Sequence, residues 1–412
     1  MRGDEIRDVG KIAGAVLGGG VSLVEDLHRG IARRSYAASG PGAQPAGVVH
    51  DGVARVVYGT LATAARAAPR LAAAAAARML PVVDAASLDS STRGNAALAA
   101  LNGLWGDRLA ASGNALAVGM TVRHHHDDLP LTGEAVAAAF PHATGRLAVF
   151  VHGLCESDES WHPSEAKQRK AGALDFGARL ASDAGCTPVY LRYNSGLHVS
   201  DNGAALAEIL DDVVAAWPIP VDELVLLGHS MGGLVVRSAC HQGAVRGASW
   251  VDLVHHVVCL GTPHLGAPLE KGTNVLSWVL GRLPETRGLA GVLNARSVGI
   301  KDLRFGSVVR EDWHGVDLDE FLTGRANEVP FVANASYYFI GVTVTRDPRH
   351  PLGVLVGDLL VQYASASGKG RRREIPFDID KGHHIGGLNH FDLLSHPDVY
   401  RQLARWLVDA RS

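Results

Sequence analysis

Leu224-Val225-Leu226-Leu227-Gly228-His229-Ser230-Met231-Gly232-Gly233 sets a buried-looking apolar run against a serine flanked by glycines, and Leu234-Val235-Val236 resumes the apolar pattern. The first run suits a strand covered on both faces, and the stretch after Gly233 suits a helix. Gly228 and Gly232 stand two residues either side of Ser230. A turn tight enough to join strand directly to helix brings its limbs together, so a side chain at either place would collide with the other limb. The five-residue pattern by itself can arise by chance. Its weight comes from the strand before it and the helix after it.

Working outward, 412 residues leave room for one large α/β domain with an extension, or for two domains. Hydrophobic residues at 47% and charged residues at 20% give an ordinary globular balance with material for a sizeable core. A net charge of −3 supplies no global basic field, so no nucleic-acid partner is expected. Cys155, Cys186, Cys240 and Cys259 are scattered without C-x-x-C spacing and read as structural thiols. The N-terminal residues lack a basic stretch leading into an apolar core and cleavage site, and Leu61 to Leu80 is broken by Arg66, Pro69, Arg70 and Arg78. A cytoplasmic location is expected, with membrane association as the alternative.

Residues 1–113 form an Ala-rich helical N-terminal region. Ile6, Val9, Ile12 and Val16 share one helical face, as do Val24, Leu27 and Ile31, and Ala72 to Ala77 have the highest helix propensity available. Three or four helices are expected. They either pack on the rest of the chain or on a partner subunit, or residues 1–110 make a peripheral membrane contact through an Arg-bearing amphipathic face. From residue 114 to 412 the pattern changes to strands separated by helices. Ala117 to Arg123 reads as a first strand with Leu129 to Thr132 beside it. Further runs follow at Leu147 to Val151, Pro188 to Tyr193, Leu224 to Leu227, Val254 to Leu260 and Tyr337 to Thr343, with a last strand at Arg373 to Asp380. This alternation predicts an α/β fold with a mainly parallel, doubly wound sheet. Residues 266–335 are too many for a plain crossover and are expected to form a helical cap, with helices at Val275 to Leu283 and Arg287 to Leu293.

A serine hydroxyl is a poor nucleophile without a base, an acid that orients the base, and donors for the oxyanion it creates. Val151 runs into His152-Gly153-Leu154, where the glycine lets the backbone turn the N–H of Leu154 into a site above Ser230. The N–H of Met231, first in its helix, is the second donor candidate. His152 reads as loop-shaping rather than as the base. Among His383, His384, His390 and His396, the base is assigned to His390, on the loop before a terminal helix starting at Pro397; His396 reads as a helix-start residue. For the acid, Asp358 is preferred and Asp347 stays open. The histidine runs His124-His125-His126, His255-His256 and His383-His384 lack metal-ligand spacing, and neighbours on a strand point to opposite faces; no metal or cofactor is expected.

With these residues in place the chain resembles the serine lipases and esterases of the α/β-hydrolase fold. The resemblance rests on Val151-His152-Gly153-Leu154, Gly228 to Gly233, Gly261-Thr262-Pro263-His264-Leu265-Gly266-Ala267 and Asn389-His390-Phe391-Asp392-Leu393-Leu394. The third segment is similar to the one leading into the lid of bacterial triacylglycerol lipases and of GPI inositol-deacylase-like lipases. The resemblance covers roughly residues 115–412. It implies a carboxylic-ester hydrolase with Ser230 as nucleophile, Asp358 and His390 as its partners, and Leu154 and Met231 as oxyanion donors. An acyl ester or lipid-like small molecule is the implied substrate, with a thioesterase, an acyltransferase, or a membrane- or partner-binding protein of weak hydrolase activity as alternatives. Three departures stand out: Leu359 occupies a place where the family commonly has glycine after the acid, no signal peptide is visible although many of these lipases are secreted, and the helical N-terminal region has no counterpart in the simplest members.

Overall fold

The computed structural model describes residues 1–38, 44–79, 87–267, 294–320, 326–347, 350, 357–370 and 373–408. Helices α1 (Gly3–Ala38), α2 (Gln44–Met79) and α3 (Thr92–Ala111) come first. The sheet is built from β1 (Thr121–His124), β2 (Asp127–Asp128), β3 (Arg146–Val151), β4 (Thr187–Arg192), β5 (Glu223–His229), β6 (Val254–Leu260), β7 (Ser336–Thr343) and β8 (Gly382–Gly386). Between its strands run α4 (Gly133–Ala139), α5 (Glu165–Ala171), α6 (Phe176–Ala184), α7 (Val199–Ala216), α8 (Met231–Arg246), α9 (Val298–Asp302) and α10 (Tyr363–Ala366). The terminal helix is α11 (Pro397–Leu407).

Strand order is β2-β1-β4-β3-β5-β6-β7-β8, antiparallel at β2-β1-β4 and parallel from β4 to β8. This is an α/β-hydrolase fold. The apolar runs are continuous because both faces of the sheet are covered. Leu147, Val149 and Val151 join Leu206 and Leu210 of α7 and Leu234 of α8 in one core. Ala148 and Phe150 join Phe176 and Leu180 of α6 and Val399 and Leu403 of α11 in the other. Each such fully buried large side chain contributes about 1.5–3 kcal/mol. β4 and β5 lie on opposite sides of β3, so the loops leaving β3 and β5 diverge and open a crevice at the carboxyl ends of the strands.

Two sequence expectations are corrected. The first strand is shorter than Ala117 to Arg123 and pairs with β2 and β4; of Leu129 to Thr132 only Leu129 continues the pairing, its N–H donating to Val122 O at 2.9 Å, while Thr132 caps α4 through its side chain. The last strand is β8, not Arg373 to Asp380. Ile375 and Phe377 bury their side chains from an extended loop, which mimics the period of a strand, whereas β8 is glycine-bounded with only Ile385 buried. Val9, Val16 and Val24 point to solvent, while Glu5 and Asp8 of α1 are buried. Glu5 accepts from Ser87 Oγ (2.6 Å), and Asp8 accepts from the Ala115 N–H (2.7 Å). The expected cap helices at Val275 to Leu283 and Arg287 to Leu293 lie outside the described residues. Among the described residues no helix is long and apolar enough to cross a membrane.

Helix α3 lies against the loops that surround the crevice. A Cβ at Gly103 would sit 2.3 Å from Cys155 Sγ, and Gly103 O accepts from Ser297 Oγ at 2.6 Å. Asn194 donates to Gly106 O at 3.0 Å. The described part of the 266–335 segment is pinned to the start of α7. His198 bonds Asp302 at 3.0 Å and stacks on Trp313 at 3.7 Å, and Trp313 Nε1 donates to Ser200 Oγ at 2.9 Å.

Candidate active site

Ser230 lies between the end of β5 and the start of α8 with φ of +52°, a left-handed conformation that a serine adopts only where its surroundings hold it. The surroundings are tight. A Cβ at Gly228 would come 2.5 Å from Gly233, and one at Gly232 would come 2.3 Å from Val151 O. The Ser230 N–H donates to Leu260 O at 2.8 Å, tying the turn to the end of β6.

His390 follows β8 in the loop before α11 and is buried. Its Nδ1–H donates to Asp358 Oδ2 at 2.7 Å, and its backbone N–H donates to Asp358 O at 3.1 Å. Its ring lies on Gly261, where a Cβ would meet Cε1 at 3.1 Å. Its Nε2 is buried with no hydrogen-bond partner among the described residues. Asp358 in turn accepts from the N–H groups of Leu360 (3.0 Å) and Val361 (2.7 Å), which fixes the carboxylate in a tight turn. Leu359, inside that turn, has φ of +90°. The residue that departs from the family's usual glycine thus takes a conformation natural to glycine and strained for leucine. Asp347, the other acid considered from the sequence, makes no contact with His390 among the bonds of that ring.

In the loop after β3, the N–H groups of Gly153, Cys155 and Glu156 donate to Glu156 Oε2 (2.7 Å), Ser195 Oγ (3.1 Å) and Gly153 O (3.3 Å). The N–H of Leu154 is left without a partner among the described residues, as is that of Met231 at the first turn of α8. A Cβ at Gly153 would lie 3.0 Å from Ser230 Cβ, so the loop runs directly over the serine. His152 does not reach toward the serine. Its Nδ1–H bonds Gly153 O (2.8 Å), its Nε2 accepts from the Tyr193 N–H (3.2 Å), and burial holds its pKa below the ordinary value.

Ser230, His390, Leu154, Leu360 and Val361 line one cavity of about 180 Å³, walled also by Pro263, Ala267, Ile300, Leu303 and Phe391. Two polar groups beside it were passed over in the sequence. Glu156 Oε2 accepts from His229 Nδ1 at 2.9 Å as well as from Gly153, and His229 Nε2 lies 3.2 Å from His390 O. Both ring nitrogens of His229 therefore face acceptors, an arrangement that favours the doubly protonated, charged ring. Burial pushes its pKa down, but the Glu156 charge, the bond to it and the His390 carbonyl leave it above the ordinary value. Burial pushes the Glu156 carboxyl up, and the His229 charge, its bond and the Gly153 N–H leave it below the ordinary value. This buried pair joins the loop after β3 to the loop that carries His390. The signal available was slight: His229 is the variable residue of the serine motif, and Glu156 is an acid three residues past Gly153. Among the described residues no group of three or more His, Cys, Asp or Glu could hold a metal ion.

Residues 142–327 match the family described as the PGAP1-like alpha/beta domain. Esterase PIR7B of Oryza sativa subsp. japonica is 33% identical over 129 residues, 30% of this chain and 43% of the relative. Probable esterase PIR7A of Oryza sativa subsp. indica is 34% identical over 135 residues, 31% of this chain and 45% of the relative. The chain thus spans less than half the length of the curated relatives it matches. Among solved structures, the mature form of Bacillus licheniformis lipase BlEst2 is similar at a TM-score of 0.42 and 19% identity, covering 64% of this chain and 92% of that one. The strand order, the serine turn and the family match agree: the chain is an α/β-hydrolase-fold protein, similar in part to esterases, whose residues 142–327 match the PGAP1-like alpha/beta domain.

Proposed function

We propose that the chain is a serine hydrolase of carboxylic esters with an apolar, lipid-like acyl group. The observation that carries this reading is His390, bonded to Asp358 at 2.7 Å and presenting a buried, unpartnered Nε2 in the cavity that holds Ser230. Ser230 Oγ attacks the acyl carbonyl as His390 Nε2 takes its proton, and Asp358 holds the ring and favours its charged form. In this reading the oxyanion receives the N–H groups of Leu154 and Met231, donors fixed in the backbone rather than on mobile side chains. Collapse of the tetrahedral intermediate expels the alcohol, protonated from His390, and leaves an acyl-enzyme. Water, deprotonated by His390, then attacks the acyl carbon and returns the serine.

The matched relatives carry esterase names, which supports the bond class. The cavity wall of Leu154, Ile300, Leu303, Leu360, Val361 and Phe391 favours an apolar acyl chain. Turnover of a p-nitrophenyl ester series from acetate to palmitate tests the proposal. Hydrolysis by the native chain, lost in Ser230→Ala with an unchanged circular dichroism spectrum, is the expected result. Undiminished turnover in that variant would end the proposal, and turnover of acyl-CoA without turnover of oxygen esters would reassign the bond to a thioester.

A further inference from the structure

Helices α1 and α2, of 36 residues each, pack on one another through their smallest residues. A Cβ at Gly10 would lie 2.3 Å from Ala73 Cβ, one at Gly14 would lie 2.4 Å from Arg66 O, and one at Gly18 would lie 2.3 Å from Arg66 Cγ. Gly10, Gly14 and Gly18 recur every four residues, so they lie along one side of α1 and let the two backbones approach closely. The large apolar side chains point the other way. Val9, Val16 (56% exposed) and Val24 on α1, and Val56 (70%), Leu61 and Leu71 (69%) on α2, stand in solvent. A hairpin that meets water on its outer side is expected to show the reverse, with valine and leucine inside.

The charges on α2 indicate what covers this face. The helix holds Arg55, Arg66, Arg70 and Arg78 against a single acid, Asp51. Arg55, Arg70 and Arg78 are exposed and form no ion pair among the described residues. A second copy of the chain would set these same arginines against each other, whereas an anionic surface would satisfy them. We propose that the α1–α2 hairpin lies flat on an anionic lipid surface, its valines and leucines in the acyl boundary and its arginines among the phosphate headgroups. Neither helix is long and apolar enough to cross a membrane, so the hairpin would rest in the interface plane.

The proposal goes beyond the hydrolase reading and its test needs no turnover. The full chain, carrying Ser230→Ala to spare the vesicles, is sedimented with vesicles of phosphatidylcholine alone or with phosphatidylglycerol added. The expected result is co-sedimentation with the anionic vesicles that weakens as salt rises. Replacing Arg55, Arg70 and Arg78 together with Gln lowers that partitioning about 100-fold at low salt, from about a 5-fold attraction per charge. Replacing Val56, Leu61 and Leu71 with Ser lowers it too, with thermal unfolding unchanged because these side chains are already in water. No sedimentation, or sedimentation that neither variant alters, overturns the proposal. So does a dimer in light scattering that the Ser variant converts to monomer, which would assign the face to a second copy.

Discussion

Replacing Glu156 with Gln removes the charge from a carboxylate that holds two elements of the crevice at once. The side chain is 9% exposed and its partner His229 is 0% exposed, so solvent screens the pair little. Removing one member of a buried ion pair costs about 3–5 kcal/mol, because the other charge is left uncompensated. The substituted amide keeps an oxygen for the Gly153 N–H, so the lower end, about 3 kcal/mol, is expected for Glu156→Gln. Spread over a chain of this size, that is a fall in Tm of about 3–5 °C. The difference from the native chain has a definite pH profile. The Glu156 pKa is lowered on folding, so its share is present above the ordinary value of 4.5 and is lost as pH falls through the folded value. The His229 pKa is raised, so its share is present below the ordinary value of 6.5 and is lost as pH rises through the folded value. The gap between native and Glu156→Gln is therefore widest between about pH 4.5 and 6.5 and narrows in alkali. Ester turnover falls too, by up to about 100-fold, as the loop carrying Leu154 loses its anchor. Thermal unfolding of both proteins from pH 4 to pH 10 measures this, and His229→Asn with the double variant isolates the coupling. A Tm gap that is flat across the range, or costs that simply add, would refute the ion-pair account.

Three further outcomes are expected. Asp358→Asn lowers kcat about 10⁴-fold with little change in fold, whereas Asp347→Asn leaves kcat within about twofold; steady-state kinetics on one soluble ester distinguishes them. Leu359→Gly raises stability by about 1 kcal/mol, since φ of +90° is strained for leucine and this exposed side chain gives up little burial; chemical denaturation measures it. Gly14→Leu forces α1 off α2, because its Cβ would sit 2.4 Å from Arg66 O; limited proteolysis should then cut within α1 or α2 while strands β3 to β7 stay intact.

How legible these features were in the sequence depended on whether their cause was local. Ser230 was readable because the turn that presents it demands glycine at two fixed places, and glycine is visible in a sequence. The parallel strands were readable because burial on both faces leaves continuous apolar runs. β8 was not, since its ends are glycines and its middle pairs His384 with Thr343 rather than filling a core. Asp358 was preferable to Asp347 by position, but its fitness lies in a turn whose two N–H donors come from residues 360 and 361, which only the folded backbone shows. Glu156 and His229 are 73 residues apart and belong to different loops, so no spacing rule joins them. In the N-terminal region the sequence left open which face packs, for a physical reason. Periodicity tells which residues share a helix face, but not whether that face or the glycine face opposite it meets the neighbouring helix.

As the proposed nucleophile, Ser230 should react faster than an ordinary serine. Exposure of the native chain to a fluorophosphonate probe, followed by mass spectrometry of the peptides, tests this directly. One phosphonyl adduct is expected, on Ser230, absent in Ser230→Ala and formed far more slowly in His390→Ala. An unlabelled native chain, or an adduct at any other residue with Ser230 untouched, would contradict it.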